Sequence, residues 1–324
     1  MLILALACAA CTGSSPKVDS SPSTMPSTSQ LTVQPDIQLN GRLAFTSDRG
    51  GNVDVYVMDL PGGSFTRLTS DPGVDMSPTW SPDGKRIAFR SDRDGNDEVF
   101  VTNADGTRQR NLTRNPASDY SPAWSPDGRT IAFATSREDP TGNDVWLMDA
   151  DGGNPRPLVE QIGIDEYPSW SPDGSQLAFG CTLGKILASQ VGDFEVCVVN
   201  ADGTGLRRIT DAPGISSAAG WSPDGSLILF GSNRDQSPGD VSPCGDLFVI
   251  RPDGSGLRKI TDGSHRDCVS SWAGDGHIFV SSDRRDPGAQ SDLWVMNADG
   301  TGATLLTVPF AGEKQDGAFL PADG

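Results

Sequence analysis

Short apolar runs separated by turn residues recur along the chain from residue 41 to its end. Ile87-Ala88-Phe89, Val99-Phe100-Val101, Ile131-Ala132-Phe133, Val145-Trp146-Leu147-Met148 and Leu247-Phe248-Val249-Ile250 are runs of this kind. Asp-Gly pairs stand between many of them, as at Asp83-Gly84, Asp105-Gly106 and Asp202-Gly203. Runs this short, bounded by Asp-Gly, predict strands joined by hairpins, because glycine takes the positive φ that a tight turn needs. The middle runs are continuously apolar instead of alternating, which predicts strands buried on both faces.

The runs belong to a repeat. Trp80-Ser81-Pro82-Asp83-Gly84 returns at Trp124–Gly128, Trp170–Gly174 and Trp221–Gly225, with a weaker copy at Trp272–Gly276 and a last one at Phe319–Gly324. The aromatic positions are spaced by 44, 46, 51, 51 and 47 residues, the period of a propeller or another repeat array. Each unit reads as four strands in an antiparallel meander, and a sheet covered on both faces by copies of itself is a propeller blade. The expected fold is therefore all-β, a β-propeller. Residues 42–69 supply the last three strands of a unit, and Ala318-Phe319-Leu320 supplies a first strand. Five whole units and one composite predict six blades, closed by pairing N- and C-terminal strands in one blade.

Residues 1–40 follow a different pattern. A short apolar run, Leu2–Ala7, leads to Cys8-Ala9-Ala10-Cys11, and a Ser/Thr/Pro-rich stretch follows. The run is too short for a mature membrane span and suits a signal-peptide core. Ala9-Ala10-Cys11 resembles a bacterial lipobox, which implies lipidation of Cys11. No Lys or Arg precedes the run, and the expectation from that gap is a start of translation a few codons further upstream. The expected organisation is a lipoprotein signal peptide over 1–11, a disordered tether over 12–40 and the propeller over 41–324. The tether has too little apolar area to fold and would hold the domain off the membrane.

Composition supports this picture. Glycine and proline number 38 and 24, a density of breakers that excludes an all-helical fold. Hydrophobic residues make up 35% of the chain, enough for a real core. The net charge of −18 excludes a typical nucleic-acid binder. Much of that charge is turn punctuation: Asp83, Asp127, Asp173, Asp224, Asp275 and Asp323 fall in first hairpins, and Asp105, Asp151, Asp202, Asp253 and Asp299 in later ones.

Four further cysteines lie within the repeats. Aligned on the repeat, Cys181 ends a second strand and Cys197 occupies the Phe100 position of the adjacent third strand. Cys244 falls in the loop between the second and third strands of the next unit, and Cys268 in the loop leading to Trp272. These two loop types share one face of a propeller. The pattern predicts Cys181–Cys197 and Cys244–Cys268 disulfides in an oxidising compartment, the alternative being four free core thiols. No Cys-x-x-Cys or Cys/His cluster points to a metal.

The Trp-Ser-Pro-Asp-Gly, Ile-Ala-Phe and Asp-Val-Tyr-Val-Met-Asp grammar resembles the TolB-like six-bladed propellers with WD40-like Pro-Asp repeats, over residues 41–324. That resemblance, with the anchor and tether, implies a non-enzymatic cell-envelope lipoprotein on the periplasmic or extracellular face. It would be a monomer, without cofactor, whose propeller face and channel mouth bind an envelope protein or peptide. Its only membrane contact would be the lipid.

Candidate chemistry is sparse. The chain lacks a Gly-x-Ser-x-Gly elbow, a His-Glu-x-x-His pair and a phosphate-binding glycine loop. Asp92–Asp97 has its glycine at the wrong position for an EF-hand. His277 follows a turn and reads as a solvated hairpin residue. Asp75, Asp119, Asp165 and Asp267 each lie five residues before the repeat tryptophan, and Ser216 breaks the series. Their placement predicts a ring at one channel mouth, joined by His265 from a loop on that face. Such a ring would take a cation or a basic partner; the plainer reading is that each aspartate caps its own loop. The alternative function is a carbohydrate-active propeller, a polyuronide lyase or a glycan-binding protein, working through Asp119 and Asp165.

Overall fold

A computed structural model describes residues 39–61, 65–138, 142–159, 163–182, 194–235, 244–285, 291–306 and 314–322. Cys8, Cys11, the signal segment and residues 12–38 of the tether lie outside these residues. The described chain forms 24 strands in six four-stranded antiparallel sheets. Blade 1 contains β1 (Gly41–Ser47), β2 (Asp54–Leu60) and β3 (Phe65–Arg67). Blade 2 contains β4 (Asp75–Trp80), β5 (Arg86–Ser91), β6 (Glu98–Asn103) and β7 (Arg110–Asn111). Blade 3 follows with β8 (Asp119–Trp124), β9 (Thr130–Thr135), β10 (Asp144–Asp149) and β11 (Arg156–Pro157). Blade 4 is β12 (Asp165–Trp170), β13 (Gln176–Cys181), β14 (Glu195–Asn200) and β15 (Arg207–Arg208). Blade 5 is β16 (Ser216–Trp221), β17 (Ile228–Ser232), β18 (Asp246–Ile250) and β19 (Arg258–Lys259). Blade 6 is β20 (Asp267–Trp272), β21 (Ile278–Ser282), β22 (Asp292–Met296) and β23 (Thr304–Leu305). The last strand, β24 (Lys314–Pro321), returns to pair with β1 and completes blade 1.

The first strand of each blade touches the first strands of both neighbours, so these six form the inner ring around the axis. They run from a face carrying the longer loops, the loop face, to a face carrying the Asp-Gly hairpins, the turn face. The core lies between blades. Each second strand contributes one phenylalanine with almost no exposure: Phe45, Phe89, Phe133, Phe179, Phe230 and Phe279. Burying each ring contributes about 2–3 kcal/mol. Leu39 packs into the cluster between blades 6 and 1, so the packed domain includes residues 39 and 40, which the sequence pattern assigns to the tether.

The Ser-Pro-Asp-Gly turns explain the repeated serine and aspartate. Ser81 Oγ donates to Asp83 Oδ1 at 2.6 Å, and the same 2.6 Å bond joins Ser125 to Asp127, Ser171 to Asp173 and Ser222 to Asp224. Gly84 takes φ 64°, a left-handed conformation that favours glycine. The hydroxyl bond is the leading cause holding these four carboxyls below the usual range, and those of Asp173 and Asp224 fall to about 2.

The inner strands are bulged. Register shifts interrupt the pairing of β4, β8, β12, β16 and β20 with their neighbours. In blades 2–4 the bulge holds Ser77, Ser121 and Tyr167 at φ 52°, 51° and 56°. Bulges of this kind bend a strand and re-aim the side chains beside them.

Candidate functional site

Asp75, Asp119, Asp165 and Asp267 each open an inner strand at the loop face, and each is fully or almost fully buried. Three are closed off by an arginine that follows the second strand of the same blade. Arg93 Nη2 lies 2.9 Å from both oxygens of Asp75 and 2.6 Å from Asp71. Arg137 donates to Asp119 through Nε at 3.2 Å and Nη2 at 2.7 Å. Arg284 reaches Asp267 at 2.7 Å, while Ser282 donates to its other oxygen at 2.6 Å. Burial pushes the carboxyls of Asp75, Asp119 and Asp267 up, against the hydrogen bonds and guanidinium charge that lower them. Each aspartate therefore anchors its blade's second-strand loop.

Where the aspartate is missing, the arginine remains. Arg234 Nη2 bonds the hydroxyl of Ser216 at 3.0 Å, and its charge faces Glu195 of blade 4. The guanidinium groups also lie on aromatic pairs: Arg93 on Phe89 and Phe100, Arg137 on Phe133 and Trp146, Arg234 on Phe230 and Phe248. The sequence signal for this device was a Ser-x-Arg or Thr-x-Arg triplet ending 17 or 18 residues after the first inner-strand residue of blades 2, 3, 5 and 6, at 91–93, 135–137, 232–234 and 282–284.

Blade 4 departs from the pattern. Its arginine position is Leu183, outside the described residues, and cysteines stand at the serine and aromatic positions. Cys181 and Cys197 are joined in a disulfide, with Cα atoms 5.9 Å apart and both side chains buried. The two are not directly opposed. Phe179 pairs with Cys197 and Cys181 with Glu195, so the bridge runs diagonally across the strand pair. Cys244 and Cys268 form the second disulfide. Cys268 is the second residue of β20, in the strand and not in the loop before it, so this bridge ties the blade 5 loop to the inner strand of blade 6.

His265 precedes β20, with Nδ1 3.8 Å from Asp283 Oδ1, and the latter accepts the Arg266 N–H at 3.0 Å. On the turn face, His277 Nδ1 is 2.9 Å from Asp275. Among the described residues, no group of three or more His, Cys, Asp or Glu is arranged to hold a metal ion.

One inner-strand carboxyl escaped the repeat-based reading. Glu166, on β12, is 3% exposed. Tyr120 of β8 donates its hydroxyl to Glu166 Oε1 at 2.8 Å, and Asn143 donates its amide to the same oxygen at 2.9 Å. Burial pushes this carboxyl up to about 7, and the two hydrogen bonds and the charge of Arg90 only partly offset it. Tyr120 is pushed up as well, by burial first and the Glu166 charge second.

Sixfold closure, Pro-Asp hairpins and blade-internal arginine anchors define a six-bladed repeat propeller. Residues 29–143 match the family model of the Tricorn protease N-terminal beta propeller domain, and residues 107–185 that of the TolB beta propeller domain. The Tol-Pal system protein TolB of Syntrophus aciditrophicus is 42% identical over 59 residues, 18% of this chain and 12% of the relative. That of Anaeromyxobacter sp. (strain K) is 33% identical over 119 residues, 36% of this chain and 24% of the relative. The matched stretches thus span a quarter or less of these relatives. The crystal structure of TolB from Acinetobacter baumannii superposes with a TM-score of 0.71 at 18% identity, over 87% of this chain and 67% of that one. The chain is a TolB-like six-bladed β-propeller.

Proposed function

We propose that this chain is a non-enzymatic, exported envelope lipoprotein, anchored through Cys11 and tethered by residues 12–38, whose loop face and channel mouth bind an envelope protein or peptide. The observation that carries this reading is the fate of the inner-strand carboxylates. Asp75, Asp119 and Asp267 are locked to arginines of their own blades, which makes the loop face a rigid recognition surface. The same ion pair counts against a lyase working through Asp119. Two disulfides fit export to an oxidising compartment. The relatives' names place them in a Tol-Pal system, and an envelope protein such as Pal is the kind of partner proposed.

Photo-crosslinking residues at Arg114, Glu138 and Arg266 on the loop face, and at Asp202 and Asp253 on the turn face, test the reading in intact cells. A discrete adduct with an envelope protein from the loop face alone is expected. Adducts equally from both faces, from neither, or turnover of polyuronides by the purified chain would overturn it. The anchor has its own test: Cys11→Ser should move the protein out of the membrane fraction.

A further inference from the structure

Glu166 is held differently from eight other buried acids of the propeller. Asp54, Asp75, Asp119, Asp246, Asp267 and Asp292 each have an arginine or lysine nitrogen at 2.5 to 2.9 Å. Glu98 and Glu195 each take a threonine hydroxyl and a backbone N–H. Glu166 has no ion pair among the described residues. Both of its hydrogen bonds fall on Oε1, and no described residue donates to Oε2.

The surrounding charges do not complete it. Arg90 of β5 acts on Glu166 from blade 2, but its Nε is committed to Asp97 at 2.6 Å. Asp97 acts on Tyr120, and its charge would oppose a further negative charge there. Across the strand pair stands Gly180, which brings no side chain. Asn143 contributes a neutral amide. A buried carboxylate with two donors on one oxygen and no counter-ion is an incomplete site, because a buried charge needs a paired opposite charge to offset its lost hydration.

We propose that Glu166 receives a cationic group of the bound partner, a lysine or arginine side chain or an N-terminal ammonium, at the channel wall formed by β8 and β12. The inference deepens the reading above and rests on the inner-strand wall being part of the partner surface. The chemistry of the described surface agrees. Leu257 is the one exposed large hydrophobic among the described residues, so recognition on that surface runs through polar and charged contacts. Near neutral pH the unliganded carboxyl is partly protonated. Arrival of the cation favours the carboxylate, so the O–H bond breaks and the proton leaves to solvent. Oε1 keeps its bonds to Tyr120 and Asn143 throughout, and Oε2 faces the ligand.

Pentalysine is the probe, titrated calorimetrically into the full chain at about 0.15 M salt, in buffers of different ionisation heat, between pH 6 and 8. The wild type should bind saturably and release close to one proton at the acid end. Its affinity should fall by about tenfold per pH unit below 7. Glu166→Gln keeps the Oε1 acceptor; it should weaken binding roughly tenfold or more and abolish proton release. Tyr120→Phe keeps the carboxyl but removes one donor from it; binding should persist, with the proton-release midpoint moved to higher pH. Asp202→Asn, on the turn face, should change neither. Equal affinity and equal proton release in Glu166→Gln, or no saturable binding to the wild type, would overturn the proposal. That failure is distinct from failure of the envelope-partner reading, which shows as absence of face-specific adducts.

Discussion

The indole Nε1 of Trp80 donates to the backbone carbonyl of Ala318, 3.1 Å away and 238 residues later in the chain. The same bond recurs from Trp170 to Ala123, Trp221 to Ser169 and Trp272 to Gly220. In every case the acceptor is the residue just before the aromatic repeat position of the preceding blade. Among the tryptophans at the repeat position, Trp124 is the exception, its Nε1 buried without a partner. The repeated tryptophan is thus a latch between blades, and the Trp80 latch spans the seam where the ring closes.

Removing that latch should have a small effect, and removing the closing strand a large one. Trp80→Phe loses one hydrogen bond, a cost of about 1 kcal/mol. That corresponds to a Tm about 2–4 °C lower by thermal circular dichroism. Deleting residues 314–324 removes β24, uncovers the edge of β1 and takes Leu320 out of the core between blades 1 and 2. The Tm should then fall by on the order of 10 °C. An unchanged Tm in the deletion would show that closure contributes nothing to the ring.

The Arg137–Asp119 pair offers a sharper test of the blade anchors. Arg137→Met keeps an unbranched side chain over Phe133 and Trp146 but leaves the Asp119 carboxylate buried without its guanidinium. Stranding one member of a buried pair costs about 3–5 kcal/mol. The double variant Arg137→Met with Asp119→Asn should recover more than half of that loss in urea unfolding. A double variant no more stable than Arg137→Met alone would mean that the arginine acts through packing and not through the carboxylate.

The repeat made most of the fold legible and hid part of the site. Strand order, blade number, the closing strand and the turn aspartates follow from local signals that return every 44 to 51 residues. The cysteine pairs were legible because aligning the repeats places each at a known strand position. The anchors were legible in principle, since Asp75 and Arg93, or Asp119 and Arg137, stand 18 residues apart in both blades. Reading the aspartates alone leaves out their partners and makes them look like a ring of open carboxylates. Glu166 was hidden for another reason. Its contact with Tyr120 crosses two blades over 46 residues, and neither residue belongs to the consensus. A repeat alignment shows where residues agree, whereas this cluster arises where two blades depart from the pattern together.

The two disulfides should differ in accessibility to reductant. Cys181 and Cys197 have no exposed surface and sit within the blade 4 sheet, whereas Cys268 is only partly buried. Mild dithiothreitol followed by alkylation and peptide mapping should label Cys244 and Cys268 first. Cys181 and Cys197 should stay unlabelled until the chain is unfolded. The bridges close spans of 16 and 24 residues, and on a chain-entropy model each contributes about 3 kcal/mol. Equal labelling rates in the folded protein would mean that blade 4 opens as readily as the loop between blades 5 and 6.

Glu166 should give the folded chain an alkaline weakness. Its carboxyl moves from an ordinary 4.5 to about 7 on folding, so between those values the folded chain holds more protons than the unfolded one. Stability from the neutral carboxyl is fully present below 4.5 and is lost as pH rises through 7, by on the order of 3 kcal/mol. The turn aspartates act in the opposite sense. Asp173 and Asp224 fall from 3.8 to about 2, so their contribution is present above 3.8 and lost as pH falls through 2. Comparing pH 5 with pH 8.5 keeps those turns ionised, and the difference between variant and wild type at each pH separates Glu166 from the other titrating groups. Glu166→Gln can accept both hydrogen bonds on its amide oxygen and carries no charge at either pH. It should match the wild type within about 1 kcal/mol at pH 5 and exceed it by roughly 2–3 kcal/mol at pH 8.5 in urea unfolding. A stability difference between variant and wild type that does not change with pH would show that Glu166 titrates in the folded chain as it does in the unfolded one.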